Sequence, residues 1–446
     1  MIKKLIKIFF PELWLLFYHK ILAVLADWIY RFPSSRMIII GVTGTNGKTT
    51  VCHMIRDILE QGGFRVGMTT SIDFQDGKRT WENNTKQGMP GRFRLRKLLS
   101  QMVENKCDYA IIETTSEGIK QFRHYRIDYD IAVFTNLTRD HIESHGSFKA
   151  YRQAKEELFK IVSTKEDGAS IINLDDPNAE YFSQYQAKKI YGYGVHSERV
   201  QDDRVTDQIT AENIKLYPEG SVFMVRDRLY SLALAGKHNI YNALAGLCVG
   251  LTQNVPPEVI QKALARFNGL PGRLEEIQNH QGFRIFVDYA HTEDALEKVY
   301  ETLKAMPHQR IIAVLGATGG GRDKKKRPEL GRLAARYCDL VFVTNEDPYD
   351  EDPQEIMNQV FAGVIAGGGK TENGNCWHIL DRGEAIKEAI QKAKKGDIVI
   401  ITGKGCEKVM AVKDGFVPWD DREEVRKILG RFTPLEKAAD EVAGKI

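Results

Sequence analysis

Met37-Ile-Ile-Ile-Gly-Val-Thr-Gly-Thr-Asn-Gly-Lys-Thr-Thr50 starts as an apolar run and closes as a glycine-bounded turn carrying a lysine. The run reads as a buried parallel strand, and the following Thr49–Gln61 stretch reads as a helix. A strand, a glycine turn and a helix in that order make a phosphate-binding unit. Gly44, Thr45, Asn46 and Gly47 can present backbone N–H donors at close range. Lys48 is a cation for the β- and γ-phosphates, Thr49 is a hydroxyl for a magnesium ion, and Thr50 continues the helix start, whose dipole favours an anion. The strict G-x-x-x-x-G-K-T spacing fails at one place, because Val42 stands where the first glycine belongs. A chance glycine turn is the competing reading. The strand before it and the helix after it argue against chance.

Outward from this unit, further apolar runs alternate with helical stretches. Tyr109–Ile112 and Ile131–Phe134 read as strands, so the block from 37 to 270 is expected to be a doubly wound α/β domain. Ile190–Leu234 reads as short strands with turns, an antiparallel extension of that sheet. Tyr241–Thr252 and Pro257–Arg266 read as helices. A second α/β block, 271–446, begins at Leu270-Pro-Gly272. Its strands are expected at Arg284–Asp288, Arg310–Gly316, Leu340–Thr344 and Asp397–Thr402, with helices at Asp294–Lys304 and Pro353–Ala362. The tail after Phe432 is polar and reads as a surface helix or frayed end.

Residues 1–36 form a third part. Ile2–Phe32 is rich in Leu, Ile, Phe, Trp and Tyr, but Glu12, His19, Lys20 and Asp27 interrupt it, so it is no clean membrane span. It has no small-residue cleavage site of the signal-peptide kind. Two short amphipathic helices broken near Pro11 fit better. They either pack on the first domain or lie in a membrane interface, aided by Lys3, Lys4 and Lys7.

Composition adds limits. With 446 residues the chain exceeds one compact core, and its net charge of +3 gives no argument for a nucleic-acid partner. Six cysteines, none at C-x-x-C spacing, exclude a zinc knuckle and fit a reducing, cytoplasmic setting.

Other residues carry chemistry by type and place. Glu113 closes a strand beside the phosphate loop, where a carboxylate can hold magnesium. Asp288 also ends a strand, where it can accept from ribose hydroxyls. His141 is equally readable as a structural histidine, and Lys155 as a solvated helix lysine. Asn242 could simply cap its helix, Arg273 could be a surface arginine, and His291 an exposed loop histidine.

Taken in order, these segments resemble the Mur ligase family, on the MurE-like plan. The resemblance rests on Thr43-Gly-Thr-Asn-Gly-Lys-Thr49, Glu113-Thr-Thr-Ser116, Thr135-Asn-Leu-Thr-Arg-Asp-His141, Ala154-Lys155, His238-Asn239 with Asn242, Gly272-Arg273, Asp288-Tyr-Ala-His-Thr292, Gly403-Lys-Gly405 and Trp419-Asp-Asp-Arg422. Each is weak alone; their shared order covers nearly all the chain from residue 37. The resemblance implies an ATP-dependent, ADP-forming amide ligase of peptidoglycan precursor synthesis, with ATP and Mg2+ as cofactors. It implies that Thr49 and Glu113 hold one magnesium, and that His141 and a carbamylated Lys155 support a second. Asn242 would read adenine, Arg273 would reach the nucleotide on domain closure, and Asp288 would complete that side, while His291 would contact substrate. Asn84, Thr85, Ser116 and Arg123 match positions that contact a muramoyl-peptide acceptor. Glu346, Asp347, Gly403 and Glu407 match the amino-acid side.

The sequence also departs from the pattern. Tyr349 stands where diaminopimelate-adding enzymes carry an arginine, and Cys406 where a histidine is common, so lysine or another amino acid is as good a substrate. The short segment before Gly41 implies no full uridine-diphosphate-binding domain, and hence an acceptor gripped by its muramoyl-peptide end, free or lipid-borne. The alternatives are another ligase of the superfamily, extending folates or polymerising amino acids, and a non-catalytic ATP-binding scaffold at a membrane surface. Gly-Lys-Thr-Thr in place of Gly-Lys-Gly-Ser counts against the folate type. The set Lys48, Glu113, His141 and Lys155 counts against a scaffold.

Overall fold

The computed structural model describes residues 12–85, 87–140, 142–195 and 203–431. The chain divides after Asn268 into two compact units. In the first, the apolar runs become strands β1 (Ile38–Thr43), β2 (Val66–Thr69), β3 (Asp73–Asp76), β4 (Thr80–Glu82), β5 (Tyr109–Glu113), β6 (Ile131–Phe134), β7 (Ala169–Asn173), β8 (Lys189–Gly194), β9 (Asp207–Tyr217), β10 (Gly220–Val225) and β11 (Arg228–Leu232). Among the described residues they form one sheet, in the order β11-β10-β9-β8-β7-β6-β1-β5-β2-β3-β4. The stretch from β9 to β2 is parallel; β10–β11 and β3–β4 add antiparallel edges. The segment read as an antiparallel extension therefore enters the sheet through the parallel pair β8–β9 and turns antiparallel only from β9 to β10.

Period-two burial splits the sheet into two faces. Ile39, Ala110, Ile112, Ala132, Phe134 and Ile172 share one core with Leu95, Leu98 and Leu99 of the helix Arg92–Glu104 and Leu158 and Phe159 of the helix Phe148–Val162. The helices Lys48–Gln61, Lys237–Thr252 and Pro257–Arg266 pack with one another and against β1, β5, β7 and β8. Helices thus cover the parallel strands, which explains their uninterrupted apolar sequences. Register brings three strand ends together: Val42 pairs with Glu113, and Thr43 with Phe134. The loops that leave β1, β5 and β6 consequently meet at one carboxyl edge, the position where doubly wound sheets bind ligands.

Among the described residues the α-helix Glu12–Ile29 precedes β1; the helix expected ahead of Pro11 falls outside them. Ala23, Ala26 and Asp27 are buried, and the helix packs against Arg92–Glu104. Phe17, Tyr18, Ile21, Leu25, Trp28 and Ile29 remain exposed, Trp28 to 67%. Left-handed Arg31 and Phe32 then end the helix ahead of the turn Pro33–Arg36.

The second unit contains β12 (Glu275–Glu276), β13 (Arg284–Asp288), β14 (Ile311–Leu315), β15 (Leu340–Val343), β16 (Cys376–His378), β17 (Ile398–Thr402), β18 (Val409–Val412) and β19 (Gly415–Pro418). The order β12-β13-β17-β14-β15-β16 is parallel except at β12, and β18–β19 is a separate hairpin. Helices Glu293–Lys304, Lys326–Tyr337, Pro353–Ala366, Arg382–Lys392 and Asp421–Arg431 connect or follow these strands. A buried ion pair fixes the last helix: Arg382 donates to Asp421 at 2.8 and 2.7 Å, and Trp419 Nε1 donates to Asp421 at 2.8 Å. The polar tail expected after Phe432 falls outside the described residues.

Candidate active site

The turn after β1 is built from backbone that side chains would spoil. Gly44 and Gly47 have φ of +149° and +82°. A Cβ on Gly44 would lie 1.9 Å from Thr135 Oγ1, and one on Gly47 would lie 2.4 Å from Asn242 Oδ1. The loop after β6 clamps the turn from beside it. Asn46 N–H donates to Asn136 Oδ1 at 2.9 Å, Asn136 Nδ2 returns a bond to Asn46 O at 3.1 Å, and Thr135 Oγ1 donates to the same carbonyl at 2.7 Å. This gives Thr135-Asn136 a job in the fold. The hydroxyls of Thr45 and Tyr151 lie 3.0 Å apart. Lys48 Nζ folds back onto the carbonyls of Gly44 and Thr45 at 3.1 and 2.7 Å. Thr50 follows in the first turn of the helix.

Thr49 and Glu113, expected to share a magnesium, meet directly. Thr49 Oγ1 donates to Glu113 Oε2 at 3.0 Å, Ser71 N–H donates to the same oxygen at 2.9 Å, and the two hydroxyls lie 2.9 Å apart. These are hard oxygen donors, the kind magnesium prefers, so the residues fit the ion. Ser71 was not singled out in the sequence. Neither was the pair behind it: His53 Nδ1 contacts Thr49 O at 2.9 Å and Nε2 contacts Asp73 Oδ2 at 3.1 Å, which steadies the first turn of the helix. His141 falls outside the described residues.

Lys155 is no solvated helix lysine. It is 1% exposed, its Nζ donates to Gly44 O at 2.5 Å, and it sits 4.6 Å from the Tyr151 ring centroid. Burial pushes its pKa well down and Lys48 adds to the effect, while Asp140, Glu113 and Glu117 oppose it. The buried group therefore favours a neutral amine.

The acceptor-side candidates gather around the loop at 83–90. Asn83 organises it: Nδ2 donates to the carbonyls of Thr70 and Gln87, and Oδ1 accepts from Thr85 Oγ1 and N. Asn84 is exposed. Ser116 is buried at the start of the helix Ser116–Lys120, where Thr115 caps Gly118 N–H at 3.1 Å. Arg123 reaches that loop, donating to Gln87 Oε1 at 2.8 Å and to Met89 O. Asn242 is buried beside Gly47 and donates to Asn239 Oδ1 at 3.1 Å, so it does more than cap its helix.

In the second unit, the candidates again lie past strand carboxyl ends. Asp288 accepts Leu274 and Ala290 N–H, both at 2.6 Å, and burial raises its pKa. Arg273 lies over the Tyr289 ring at 4.4 Å. His291 Nδ1 contacts Tyr289 O at 2.9 Å. Asp347 takes Lys404 Nζ on both oxygens at 2.8 Å, and Lys404 also donates to Glu407. Lys404 is thus the buried hub between two residues that the sequence points to. Glu346 accepts from Thr318 Oγ1 at 2.9 Å, and burial raises its pKa. Gly403, at φ +106°, leaves room for Glu346: a Cβ there would be 1.9 Å from Oε2. The Thr318–Asp323 loop lies beside Asp347–Tyr349, with Gly319 N–H donating to Asp347 O at 2.9 Å. Asp347 and Tyr349 both have positive φ, +41° and +52°.

Comparison with known proteins agrees with this geometry. The Mur ligase middle domain matches residues 42–250, and the Mur ligase, glutamate ligase domain matches residues 272–405. The chain is 37% identical over 414 residues to the UDP-N-acetylmuramoyl-L-alanyl-D-glutamate--2,6-diaminopimelate ligase of Syntrophomonas wolfei, spanning 92% of this chain and 81% of that protein. It is 38% identical over 429 residues to a UDP-N-acetylmuramyl-tripeptide synthetase of a Roseiflexus species, with 92% and 82% covered. A solved structure of a UDP-N-acetylmuramoyl-L-alanyl-D-glutamate--2,6-diaminopimelate ligase superposes with a TM-score of 0.61 at 28% identity, over 92% of this chain and 83% of that one. With the phosphate loop, the Thr49–Glu113 pair and both domain matches in agreement, the chain belongs to the Mur ligase family of ATP-dependent carbon–nitrogen ligases.

Proposed function

We propose that the protein joins an amino acid to the carboxylate of a muramoyl-peptide acceptor, at the expense of ATP, in peptidoglycan precursor synthesis. The observation that carries this reading is the meeting of Thr49, Ser71 and Glu113 beside Lys48 and the buried Lys155 amine. In the first step an acceptor carboxylate oxygen bonds to the γ-phosphorus and the bond to ADP breaks. In the second, the amine nitrogen attacks the acyl carbon, inorganic phosphate leaves with the bonding pair, and the new amide loses a proton to solvent. Bound magnesium, held by Thr49 and Glu113, supplies positive charge to the phosphoryl oxygens. Lys48 places a cation at the transferring group, and the backbone N–H groups of Gly44–Gly47 orient the phosphates. As a carbamate, Lys155 would offer an anionic oxygen that could hold a second ion, the role the resemblance implies for it together with His141.

Asn242 reads adenine, Arg273 and Asp288 keep the nucleotide-side roles that the resemblance implies, and His291 keeps its role toward substrate. Thr85, Ser116 and Arg123 receive the acceptor; Asp347, Glu346 and Glu407 receive the amino acid. The test is ADP release measured with ATP, acceptor and amino acid singly and together. Release that requires both partners supports ligation, and ATP binding without turnover refutes it.

The exposed stripe of the helix Glu12–Ile29 suits peripheral contact with an anionic lipid surface. Its aromatic and aliphatic side chains are rimmed by Lys20 and Arg31, both exposed. Among the described residues no helix is long and apolar enough to cross a membrane, so the contact lies in the interface plane. Cosedimentation with anionic vesicles, lost in the double variant Leu25→Glu, Trp28→Glu, supports this. Undiminished cosedimentation, or wild-type protein that stays in the supernatant, refutes it.

A further inference from the structure

Three elements bring basic side chains together where little negative charge answers them. They are the helix Glu12–Ile29, the start of the helix Arg92–Glu104, and the loop from 121 to 126. Two guanidinium groups hinge on one residue: Arg92 Nη2 donates to Gln121 O, while Arg123 Nε and Nη2 donate to Gln121 Oε1 at 3.2 and 2.8 Å. The N-terminal helix lies over the same loop, with Lys20 Nζ 4.8 Å from the Phe122 ring centroid. Arg96, one turn after Arg92, donates to the carbonyls of Arg123 and Tyr125.

Two carboxylates lie near: Glu117 acts on Arg123, and Asp27 is already engaged. Asp27 lies 3.9 Å from Arg96 and 3.2 Å from Arg126. Among the described residues Arg92 has no carboxylate partner. Its buried Nε and the buried His19 Nδ1 have no hydrogen-bond partner there either. The groups oppose one another's charge: burial, Arg123 and Arg96 hold Arg92 down to about 10, and burial, Arg92 and Arg123 hold His19 down to about 4. Like charges held this close leave an anion-shaped demand. Planar guanidinium forks suit phosphate oxygens in particular. The helix beginning at Arg92 has no side-chain cap on Gly91, so its positive dipole end adds to the field.

We infer that His19, Arg92 and Arg123 form a subsite for a phosphate or diphosphate ester, the anionic end of the acceptor. This rests on the acceptor side of the proposed reaction. Position supports it. Arg123 bonds Gln87 and Met89, and Gly88 between them lies against Glu113, where a Cβ would stand 3.0 Å from Oε1. An acceptor whose carboxylate lies at Glu113 can run along this loop and end at Arg92 and His19. The exposed apolar face of the N-terminal helix lies on the same element as His19, so one helix serves both a phosphate and a surface on which a phosphate-bearing lipid could lie.

The test uses the full chain, with Arg92→Gln and His19→Gln, and Arg92→Lys as a charge-keeping control. Inorganic pyrophosphate is titrated calorimetrically into protein whose phosphate loop is saturated with a non-hydrolysable ATP analogue and magnesium. One site is expected, weakened at least tenfold in Arg92→Gln and less in Arg92→Lys. In turnover, the ratio of kcat/KM for a muramoyl-peptide 1-phosphate to that for the same peptide without phosphate is expected to exceed ten, and to fall toward one in Arg92→Gln. A fall in this ratio assigns the subsite to the acceptor. Loss of binding to phospholipid vesicles in Arg92→Gln, with the ratio unchanged, assigns it to a lipid headgroup and overturns the acceptor assignment. Pyrophosphate binding equal in wild type and both glutamine variants overturns the subsite itself. If wild type turns over neither acceptor, the ligase reading fails, while the titration still decides the subsite.

Discussion

Replacing Lys155 with methionine separates what this residue does for the fold from what it does for the reaction. The side chain is 1% exposed, with its amine bonded to Gly44 O at 2.5 Å. Methionine fills nearly the same volume. It forfeits one hydrogen bond, about 1 kcal/mol, and the Tyr151 contact. Gly44 O keeps Lys48 Nζ at 3.1 Å, so no carbonyl is orphaned. Against that loss, a polar amine no longer has to be desolvated, a comparable gain. The expected net change in stability is within about 1 kcal/mol, a shift of at most about 4 °C for a unit of this size. Activity behaves differently. A neutral amine nitrogen can attack CO2 and release a proton, giving a carbamate that methionine cannot form. Losing that anionic ligand is expected to lower turnover by about a thousandfold, about 4 kcal/mol of transition-state stabilisation. The assay is coupled ADP release beside a thermal melt. Lys155→Ala, which leaves space, should regain part of the loss with added formate or acetate. A methionine variant that keeps more than a tenth of wild-type turnover refutes the reasoning, as does a metal-bound structure showing a bare ammonium alongside an active alanine variant.

Lys48→Ala should lower ADP formation by about a thousandfold with an unchanged melt, because it removes the cation at the transferring group; near-normal turnover would remove the phosphate-loop assignment. Asp421→Ala strands the buried guanidinium of Arg382 and should cost about 3–5 kcal/mol in denaturant unfolding of the second unit. A loss below 1 kcal/mol would show the pair to be redundant. His124 is buried, and burial, Arg96 and Lys20 hold its pKa at about 4 against an ordinary 6.5. Between those values the unfolded chain binds the extra proton, so stability falls as pH drops from 6.5 to 4. At about 1.4 kcal/mol per pH unit, the gap from 6.5 to about 4 sets an upper bound between about 3 and 4 kcal/mol. His124→Phe should flatten that slope in urea titrations at stepped pH, and an unchanged slope would assign the acid sensitivity elsewhere.

The sequence made the strands legible where both sheet faces are covered. Residues 38–42 and Ile131–Phe134 are continuous apolar runs because helices lie on each side. It failed where the surroundings set the structure. Cys376–His378 is a three-residue edge strand, too short to show a period. Lys189–Gly194 joins the sheet in parallel, a pairing that depends on its neighbour β7 rather than on its own pattern. The phosphate loop and Glu113 stand out in the sequence because a motif or strand end marks them, while Lys155 stands out only through the family resemblance. Ser71, Asp73 and Tyr151 do not. Each is common in type, and each matters only through a contact made far along the chain, with Glu113, His53 and Thr45 respectively. Lys404 was hidden inside a recognised segment, since nothing in Gly-Lys-Gly tells that its amine is bound between Asp347 and Glu407.

Lys48 and Lys155 both donate to the carbonyl of Gly44, at 3.1 and 2.5 Å. Two ammonium groups on one carbonyl would repel, and burial makes the second charge costly. The conflict has two resolutions: an anion arrives, or Lys155 gives up its proton. Burial together with Lys48 favours the second, since both push the Lys155 pKa down. The neutral amine is also the only form of lysine that adds CO2. Once it has done so, the repulsion between the two side chains becomes attraction, because a carbamate faces the Lys48 ammonium. The closeness that makes Lys155 reactive would then stabilise its product, while Lys48 remains charged for the nucleotide. In this reading the phosphate-loop lysine both serves the phosphoryl group and primes its neighbour. Lys48→Met should therefore reduce carbamylation of Lys155, measured by 13C NMR of protein in labelled bicarbonate, as well as turnover. A full carbamate signal in that variant would show that burial alone sets the Lys155 amine.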